Sequence, residues 1–230
     1  MKIERIKSSE LSNERFVEEY YDKKPVIILG EMEKWNISGT TLSTFEKKYG
    51  ERVVPVRGSN INDFKDFMEV NVSHYIENMK NNPDQWYCDF PTDYEELPEI
   101  QNEFIVPTYF TEGTTSYKDG NLYQWVYLGG EGTGTPLHTD VHNSHAWNGL
   151  IFGEKEWVVF PRSSEIEQYE GKLNLFEKKN SELLEEYDHA HFYQKSNEIV
   201  YIPSGFWHQV KNSKDSLCIT GNFWDLNTEN

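Results

Sequence analysis

The chain has 230 residues, of which 37% are hydrophobic and 15% aromatic, enough to build one substantial core. Its 22 basic and 39 acidic residues give a formal net charge of −17, which disfavours direct binding to nucleic-acid phosphates. No apolar run approaches the roughly 20 residues that cross a bilayer, and the charged residues 1–7 lack the apolar stretch of a secretory signal. The two cysteines, Cys88 and Cys218, have no CxxC spacing, so we expect reduced thiols in a cytoplasmic protein, with a nuclear location left open.

The first part of the sequence, about residues 1–80, combines helical patterns with short apolar strands. Hydroxyl N-cap candidates precede apolar side chains at helical spacing in the first two helical segments. The predicted helices are 9–22, 41–48 and two short helices within 61–80, joined near 71–73. The predicted strands are 26–29 and 53–56.

Residues 83–104 form an acidic and aromatic run without any Lys or Arg. Its acidic residues are Asp84, Asp89, Asp93, Glu95, Glu96, Glu99 and Glu103. Two interpretations stay open for this run, a loop that faces a basic substrate and a solvated irregular segment.

The second part of the sequence, about residues 105–225, predicts a barrel of strands. The elements, in order, are a strand at 124–128, a glycine-rich turn, a hairpin of 150–152 with 156–160 around Gly153, a charged helical insertion at 164–193, and strands at 199–202, 206–210 and 217–223. With no repeat or linker in the sequence, we expect a single domain over residues 1–230. The expected fold class is mainly β, with a helical N-terminal layer and a helical insertion between barrel strands.

Three residues have the chemistry of a ferrous iron site. His138 and Asp140 are two positions apart, so on a strand they would project from the same face, and His208 follows 70 positions later. Two imidazoles and one carboxylate are the ligand set of non-haem Fe(II) oxygenases. His142, four residues past His138, is a competing ligand candidate. A structural zinc site is less attractive because no thiolates accompany the histidines.

The sequence around these residues resembles the Jumonji-C (cupin-like) Fe(II)/2-oxoglutarate dioxygenases, in the small hydroxylase branch that includes the Jumonji lysyl hydroxylases and factor inhibiting HIF. The similarity spans nearly the whole sequence. It is carried by KPVIILG at 24–30, GTPLHTD at 134–140, SHAWN at 144–148, GEKEW at 153–157, VYIPSGFWH at 200–208 and ITGNF at 219–223. The resemblance implies a double-stranded β-helix, or jelly roll.

The resemblance also implies residues for the co-substrate 2-oxoglutarate. Lys155 matches the cation for its distal carboxylate, Thr220 the hydroxyl that shares this carboxylate, and Tyr87 a phenol donor. Asn148 matches an asparagine beside the 2-oxo acid, and Asn222 is expected to line the same pocket. From chemistry alone, Lys155 could instead extend its ammonium to water, and Thr220 could be an ordinary strand residue.

The predicted function is an Fe(II)-, 2-oxoglutarate- and O2-dependent dioxygenase that hydroxylates a C–H bond in an amino-acid side chain of a protein or peptide, releasing succinate and CO2. The net charge favours a basic polypeptide with Lys or Arg oxidised. The alternatives are N-methyl-lysine demethylation, hydroxylation of a small molecule or modified nucleoside, and a non-catalytic cupin-type binding module. The oligomeric state stays open.

Overall fold

The computed structural model describes residues 1–58, 67–162 and 165–226 of the protein. Strands dominate these residues, and the α-helices among them are short. The helices are α1 (Asn13–Glu19), α2 (Leu42–Tyr49), α3 (Val72–Asn81) and α4 (Ser181–Glu186). The strands are β1 (Glu4–Lys7), β2 (Val26–Leu29), β3 (Val53–Gly58), β4 (Phe67–Asn71), β5 (Trp86–Pro91), β6 (Thr114–Thr115), β7 (Tyr117–Lys118), β8 (Asn121–Leu122), β9 (Gln124–Gly129), β10 (Gly134–His138), β11 (His145–Phe160), β12 (Ala190–Lys195), β13 (Glu198–Ile202) and β14 (Trp207–Asp225).

Two long antiparallel strands, β11 and β14, form the centre of the main sheet. Their pairing runs from His145 opposite Phe223 to Phe160 opposite Trp207. The first half of this pair is flanked by β13 and β9, and the second half by β12 and β10. Residues from both halves line one internal cavity. This arrangement confirms the predicted mainly β, jelly-roll fold class.

The predicted hairpin around Gly153 is wrong, because the backbone continues in the same direction as one strand. The pairing of β11 with β14 shifts register three times between Leu150 and Lys155, so bulges change the course of the strand without reversing it. Gly153 has a φ of 98°, and a Cβ there would lie 2.3 Å from the Asp215 carbonyl oxygen. The strands predicted at 206–210 and 217–223 are likewise parts of a single strand, β14.

The first 80 residues contribute strands to the sheet as well as helices. The helices predicted from hydroxyl caps are confirmed: the Ser12 hydroxyl caps α1, and Thr41 forms a capping box with Thr44 at the start of α2. The two helices predicted within 61–80 are partly wrong. Residues 67–71 form β4, which pairs with β3, and only α3 is helical; residues 59–66 lie outside the described residues.

Two further segments differ from prediction because tertiary pairing overrides their composition. In the acidic run 83–104, residues 86–91 form β5, inserted between β3 and β9, with Cys88 and Phe90 buried. The insertion predicted as helical over 164–193 contains short 3-10 turns and α4, but its last residues already belong to β12. None of the described helices is long and apolar enough to cross a membrane.

The core is tightly packed where Trp147 of β11 crosses Gly221 of β14. Trp147 is fully buried, its ring is parallel to that of Phe110 with centroids 6.1 Å apart, and its partner residue on β14 is Gly221. A Cβ built at Gly221 would lie 2.6 Å from the Trp147 indole, closer than such atoms approach in folded proteins. The absence of a Cβ at Gly221 therefore makes room for the indole beside the internal cavity.

We expect Gly221→Ala to destabilise the fold by about 1–3 kcal/mol, the usual cost of overpacking a core. Trp147→Phe removes the indole atoms that the new methyl group would meet. In a double-mutant cycle measured by urea unfolding, the double variant should therefore lose less stability than the two single variants together. Strict additivity would mean that the methyl group and the indole do not compete for the same space.

Candidate active site

The three predicted iron ligands meet where β10 pairs with β14. His138 is the last residue of β10 and His208 the second of β14, and the two are direct partners in the antiparallel register. Their ring centroids are 4.2 Å apart. One potential ligand atom from each of His138, Asp140 and His208 lies within 4.8 Å of the others. A separation of 70 residues in sequence is thus closed by a single strand pairing.

Backbone carbonyls orient both imidazoles in the same way. The His138 Nδ1 lies 2.7 Å from the Pro136 oxygen, and the His208 Nδ1 lies 3.1 Å from the Phe206 oxygen. Because a carbonyl only accepts, each Nδ1 carries the proton and each Nε2 keeps a lone pair for a metal. Burial lowers the pKa of His208 to about 4, so this imidazole is neutral near pH 7.

Asp140 offers one carboxylate oxygen that has no protein partner. Its Oδ1 accepts a 3.1 Å hydrogen bond from the Asn222 amide, which also donates to the Ser144 hydroxyl. Its Oδ2 is buried, lies 3.9 Å from the His208 Nε2, and makes no hydrogen bond in the described part of the protein. A buried carboxylate oxygen is costly without a cation or donor, so the chemistry of this site fits a divalent metal.

Asp140 reaches this position differently from the sequence expectation. The strand ends at His138, so the two residues do not share a strand face, although the Asp140 backbone is extended (φ −64°, ψ 149°). Directly afterwards, His142 and Asn143 both adopt left-handed φ values, 52° and 53°, which turn the backbone away. His142 lies outside the triad, with its Nε2 3.3 Å from the Tyr123 hydroxyl. Across residues 1–58, 67–162 and 165–226, no second cluster has metal-ligand spacing.

The triad opens onto a cavity of about 90 Å³ that is partly open to solvent. The five residues predicted to bind the co-substrate line this same cavity, namely Tyr87, Asn148, Lys155, Thr220 and Asn222. The structure therefore brings all eight predicted site residues together, and their roles stay predictions. It adds Tyr127 and Trp157, which were not among the predicted site residues. Alternation along the predicted strand 124–128 could have revealed Tyr127, which projects from the face opposite the buried Val126 and Leu128.

Lys155 is the one buried ammonium of the cavity wall among the residues that the structure describes. It is 2% exposed, and its Nζ donates a 2.7 Å hydrogen bond to the Asn212 amide oxygen. Because Lys155 is buried and bonded to Asn212, its ammonium does not extend to water. The described residues place no carboxylate within ion-pair distance of this Nζ, so within them the charge has no counterion. Such a cation favours an anionic ligand in the cavity.

Neutral donors surround the space between Lys155 and the triad. The Asn148 amide donates 2.7 Å to the Thr220 hydroxyl oxygen, which leaves the Thr220 proton for a further acceptor. The Tyr87 ring stacks on Tyr127 with centroids 5.6 Å apart, beneath the Arg57 guanidinium. Burial raises the pKa of Tyr87 well above its usual value, so its phenol stays protonated and can donate.

Comparison with known proteins shows similarity to one family. Residues 125–223, which hold the triad and most of the cavity wall, match the profile described as JmjC domain, hydroxylase. Over 96% of its length, the protein is 28% identical to the lysine-specific demethylase JMJ21 of Arabidopsis thaliana and 25% identical to the bifunctional arginine demethylase and lysyl-hydroxylase psr-1 of Caenorhabditis elegans. The chain is thus similar to JmjC proteins.

The JmjC relatives are longer than this protein. The matches cover 25% of the JMJ21 protein and 61% of the psr-1 protein. The chicken (Gallus gallus) protein named 2-oxoglutarate and iron-dependent oxygenase JMJD4 is 28% identical over 77% of the present sequence and 47% of its own length. The sequence thus spans between a quarter and about three fifths of these relatives.

We expect the protein to bind one Mn(II), as a substitute for Fe(II), and Asp140→Ala to weaken this binding more than about 100-fold. Altering a group that only supports a ligand already costs about 10–100-fold, and Asp140 supplies the one anionic ligand atom. Electron paramagnetic resonance of free Mn(II) measures the affinity. The matched control is His142→Ala, which removes a nearby exposed imidazole and should leave the affinity unchanged. Equal Mn(II) affinity of Asp140→Ala and the unaltered protein would contradict the assignment.

Proposed function

We propose that this protein is an Fe(II)- and 2-oxoglutarate-dependent dioxygenase that hydroxylates an amino-acid side chain of a protein or peptide. His138, Asp140 and His208 would hold the iron, which supplies the one-electron and O2 chemistry that amino acids lack. The name of the JMJD4 relative includes both iron and 2-oxoglutarate. In balance, 2-oxoglutarate, O2 and a C–H bond give succinate, CO2 and a C–OH group.

The observation that carries this proposal is the pairing of two unsatisfied groups in one cavity. Among the described residues, Lys155 is a buried cation without a counterion, and one buried carboxylate oxygen of Asp140 has no hydrogen-bond partner. One molecule with a carboxylate at one end and a metal-chelating 2-oxo acid at the other satisfies both groups. Its carboxylate pairs with Lys155, and its 2-oxo acid completes the coordination of the metal that Asp140 would bind. 2-Oxoglutarate has this structure. A cupin domain that served only as a binding module would not need both the Lys155 cation and the Asp140 carboxylate.

Each cavity residue then has a defined task. The Lys155 ammonium binds the distal carboxylate, with hydrogen bonds from the Thr220 hydroxyl and the Tyr87 phenol. The Asn148 amide donates to the Thr220 hydroxyl oxygen and so leaves the Thr220 proton free for this carboxylate. The buried walls exclude water from the space between carboxylate and metal, which strengthens these interactions.

The experiment that tests this function is succinate formation from 2-oxoglutarate by the Fe(II)-loaded protein, with binding measured separately by anaerobic calorimetry. Lys155→Ala should reduce the apparent 2-oxoglutarate affinity by about 10- to 100-fold, because the charge-assisted bond it loses is worth about 1.5–3 kcal/mol. Lys195→Ala, at an exposed lysine of the neighbouring strand β12, is the control for loss of charge. Unchanged affinity in Lys155→Ala would place the carboxylate site elsewhere.

We further propose that the substrate is a basic polypeptide and that Lys or Arg is oxidised. The net charge of −17 supports a basic partner, and the names of several relatives include arginine or lysine. In the structure, six of the seven acidic residues of the run fall into two groups. Asp89, Glu99 and Glu103 form ion pairs with Arg57, Arg52 and Lys48.

The second group is exposed and without an ion pair in the described part of the protein, and it consists of Asp93, Glu95 and Glu96. It follows the end of β5, where Pro91 pairs with Trp125 of the cavity strand β9. Nearby, the aromatic rings of Tyr123 and Trp224 pack edge to face beside the turn that follows Asp140, and the Lys118 ammonium already lies 5.3 Å above the Trp224 ring. This neighbourhood supports recognition of a cationic group.

We expect charge reversal of Asp93, Glu95 and Glu96 to Lys to raise the KM for a basic peptide more than it lowers kcat. Succinate formation that depends on the peptide should also fall with added salt, because attraction between exposed charges is screened beyond about 10 Å at 0.1 M. Reversal of three exposed carboxylates on other elements, Glu10, Glu18 and Glu77, is the control for net charge. A peptide library screened by mass spectrometry supplies the substrates, and turnover of acidic or neutral peptides alone would overturn the basic-substrate proposal.

The same site also accommodates the alternative of N-demethylation, in which the oxidised carbon is an N-methyl group. The names of JMJ21 and psr-1 include demethylase, which favours testing methylated peptides in the same screen. We propose that residues 1–230 form one domain, supported by strands β1 to β4 of the N-terminal part joining the barrel sheet.

We propose a cytoplasmic location, supported by the unpaired buried thiols of Cys88 and Cys218.

A further inference from the structure

Asn212 is the direct partner of Lys155 across the two central strands. The two residues face each other in the β11–β14 register, and the Asn212 Oδ1 accepts the 2.7 Å hydrogen bond from the Lys155 Nζ. Asn212 is fully buried. It lies on β14, four residues after His208 and on the same strand as Thr220. This one strand therefore contributes residues to both the metal end and the carboxylate end of the cavity.

A series of hydrogen bonds fixes which atom of the Asn212 amide faces the lysine. The Asn212 Nδ2 donates 2.9 Å to the Thr133 hydroxyl oxygen, and the Thr133 hydroxyl donates 2.7 Å to the Gly130 carbonyl. With its single proton used, the Thr133 hydroxyl can only accept from Asn212. The amide NH2 group must therefore point to Thr133, and the amide oxygen must point to Lys155.

The backbone of Asn212 is held on both sides by the same turn. Its N–H donates 2.7 Å to the Thr133 carbonyl, and its carbonyl accepts 2.8 Å from the Gly132 N–H. A Cβ at the adjacent Gly134 would lie 2.1 Å from the Val210 carbonyl, so the close approach of this turn to β14 requires glycine there. The glycine-rich turn between β9 and β10 thus supports the amide opposite Lys155.

A neutral amide and an acidic side chain would affect the buried Lys155 ammonium differently. The amide oxygen satisfies one of the three Lys155 protons and leaves the positive charge uncancelled, with two protons free to donate. An aspartate in the same place would form an ion pair with the lysine and compete with any incoming carboxylate. The residue type at 212 therefore decides whether the cation is available to a ligand.

We propose that Asn212 is a positioning residue that aims the Lys155 ammonium into the cavity and keeps its charge available for the distal carboxylate of the co-substrate. This inference rests on the proposed function, since it concerns the same 2-oxoglutarate site. Thr133 acts one step further away, by fixing the orientation of the Asn212 amide.

The decisive variant is Asn212→Asp, which keeps the shape of the residue and adds a negative charge beside Lys155. We expect it to weaken anaerobic 2-oxoglutarate binding to the Mn(II)-loaded protein by about 10- to 100-fold, the range for loss of a charge-assisted bond. Binding of oxalate, which has the metal-chelating end but no distal carboxylate, should stay unchanged. A merely structural role of Asn212 would weaken both ligands together.

The double variant Lys155→Met with Asn212→Asp tests whether Asn212 acts through the lysine. If it does, Asn212→Asp should cost little further 2-oxoglutarate affinity once Lys155 is gone. Thr133→Val, which releases the amide, should show a smaller loss with the same selectivity for 2-oxoglutarate over oxalate. It also provides the test if Asn212→Asp does not fold, and retained Mn(II) binding reports folding because His208 is on the same strand.

The outcomes separate the two proposals. If the unaltered protein binds neither 2-oxoglutarate nor oxalate, the proposed function itself fails. If it binds both, and the variants at 212 and 133 that keep Mn(II) bind 2-oxoglutarate as tightly as the unaltered protein, the role of Asn212 is overturned. Equal weakening of the two ligands in those variants also overturns it.

Discussion

The pairing of β11 with β14 is the constraint on which the site depends. Asn148 lies opposite Thr220 and Lys155 opposite Asn212, and His208 is held opposite Val159. Successive residues alternate between the two faces of a strand. A slip of one residue in this pairing would therefore turn the side chains of these site residues away from the cavity. The aromatic core around Trp147 and the close contact at Gly221 fix the register from the other side of the sheet.

The interior of this barrel contains polar groups that the protein alone leaves incompletely satisfied. Asp140 has a buried oxygen without a partner, and Lys155 has a neutral partner where a stable core would favour an acid or an apolar residue. Such groups cost stability in the absence of a ligand. Their position at two ends of one cavity, rather than scattered through the core, is what makes a bifunctional anion the natural occupant.

The sequence predicted the site better than the fold around it. His138, Asp140 and His208 follow from ligand chemistry, and Lys155, Thr220, Tyr87, Asn148 and Asn222 follow from the family resemblance; the structure brings all of them to one cavity. Residues close to the chemistry have fixed types because their atoms must meet a ligand. Asn212 escaped notice because its role comes from strand register, and no local pattern encodes which residue will face Lys155.

The errors in the fold have a common physical origin. Residues 67–71 lie in a segment with helical spacing and residues 86–91 in an acidic run, yet both form strands because neighbouring strands pair with them. The glycine at 153 indicated a turn, but glycine also permits a bulge within one long strand, and only the partner strand β14 decides between the two. Local propensity could not contain this information.

The central claim is that one cavity holds a metal at the His138–Asp140–His208 end and a distal carboxylate at the Lys155 end. The most direct measurement is the paramagnetic broadening of the two methylene proton signals of 2-oxoglutarate by the Mn(II)-loaded protein in anaerobic NMR. The account predicts that both signals broaden, the methylene next to the 2-oxo group more strongly than the one next to the distal carboxylate. Sharp signals with a protein that demonstrably holds Mn(II), or stronger broadening at the distal methylene, would contradict it.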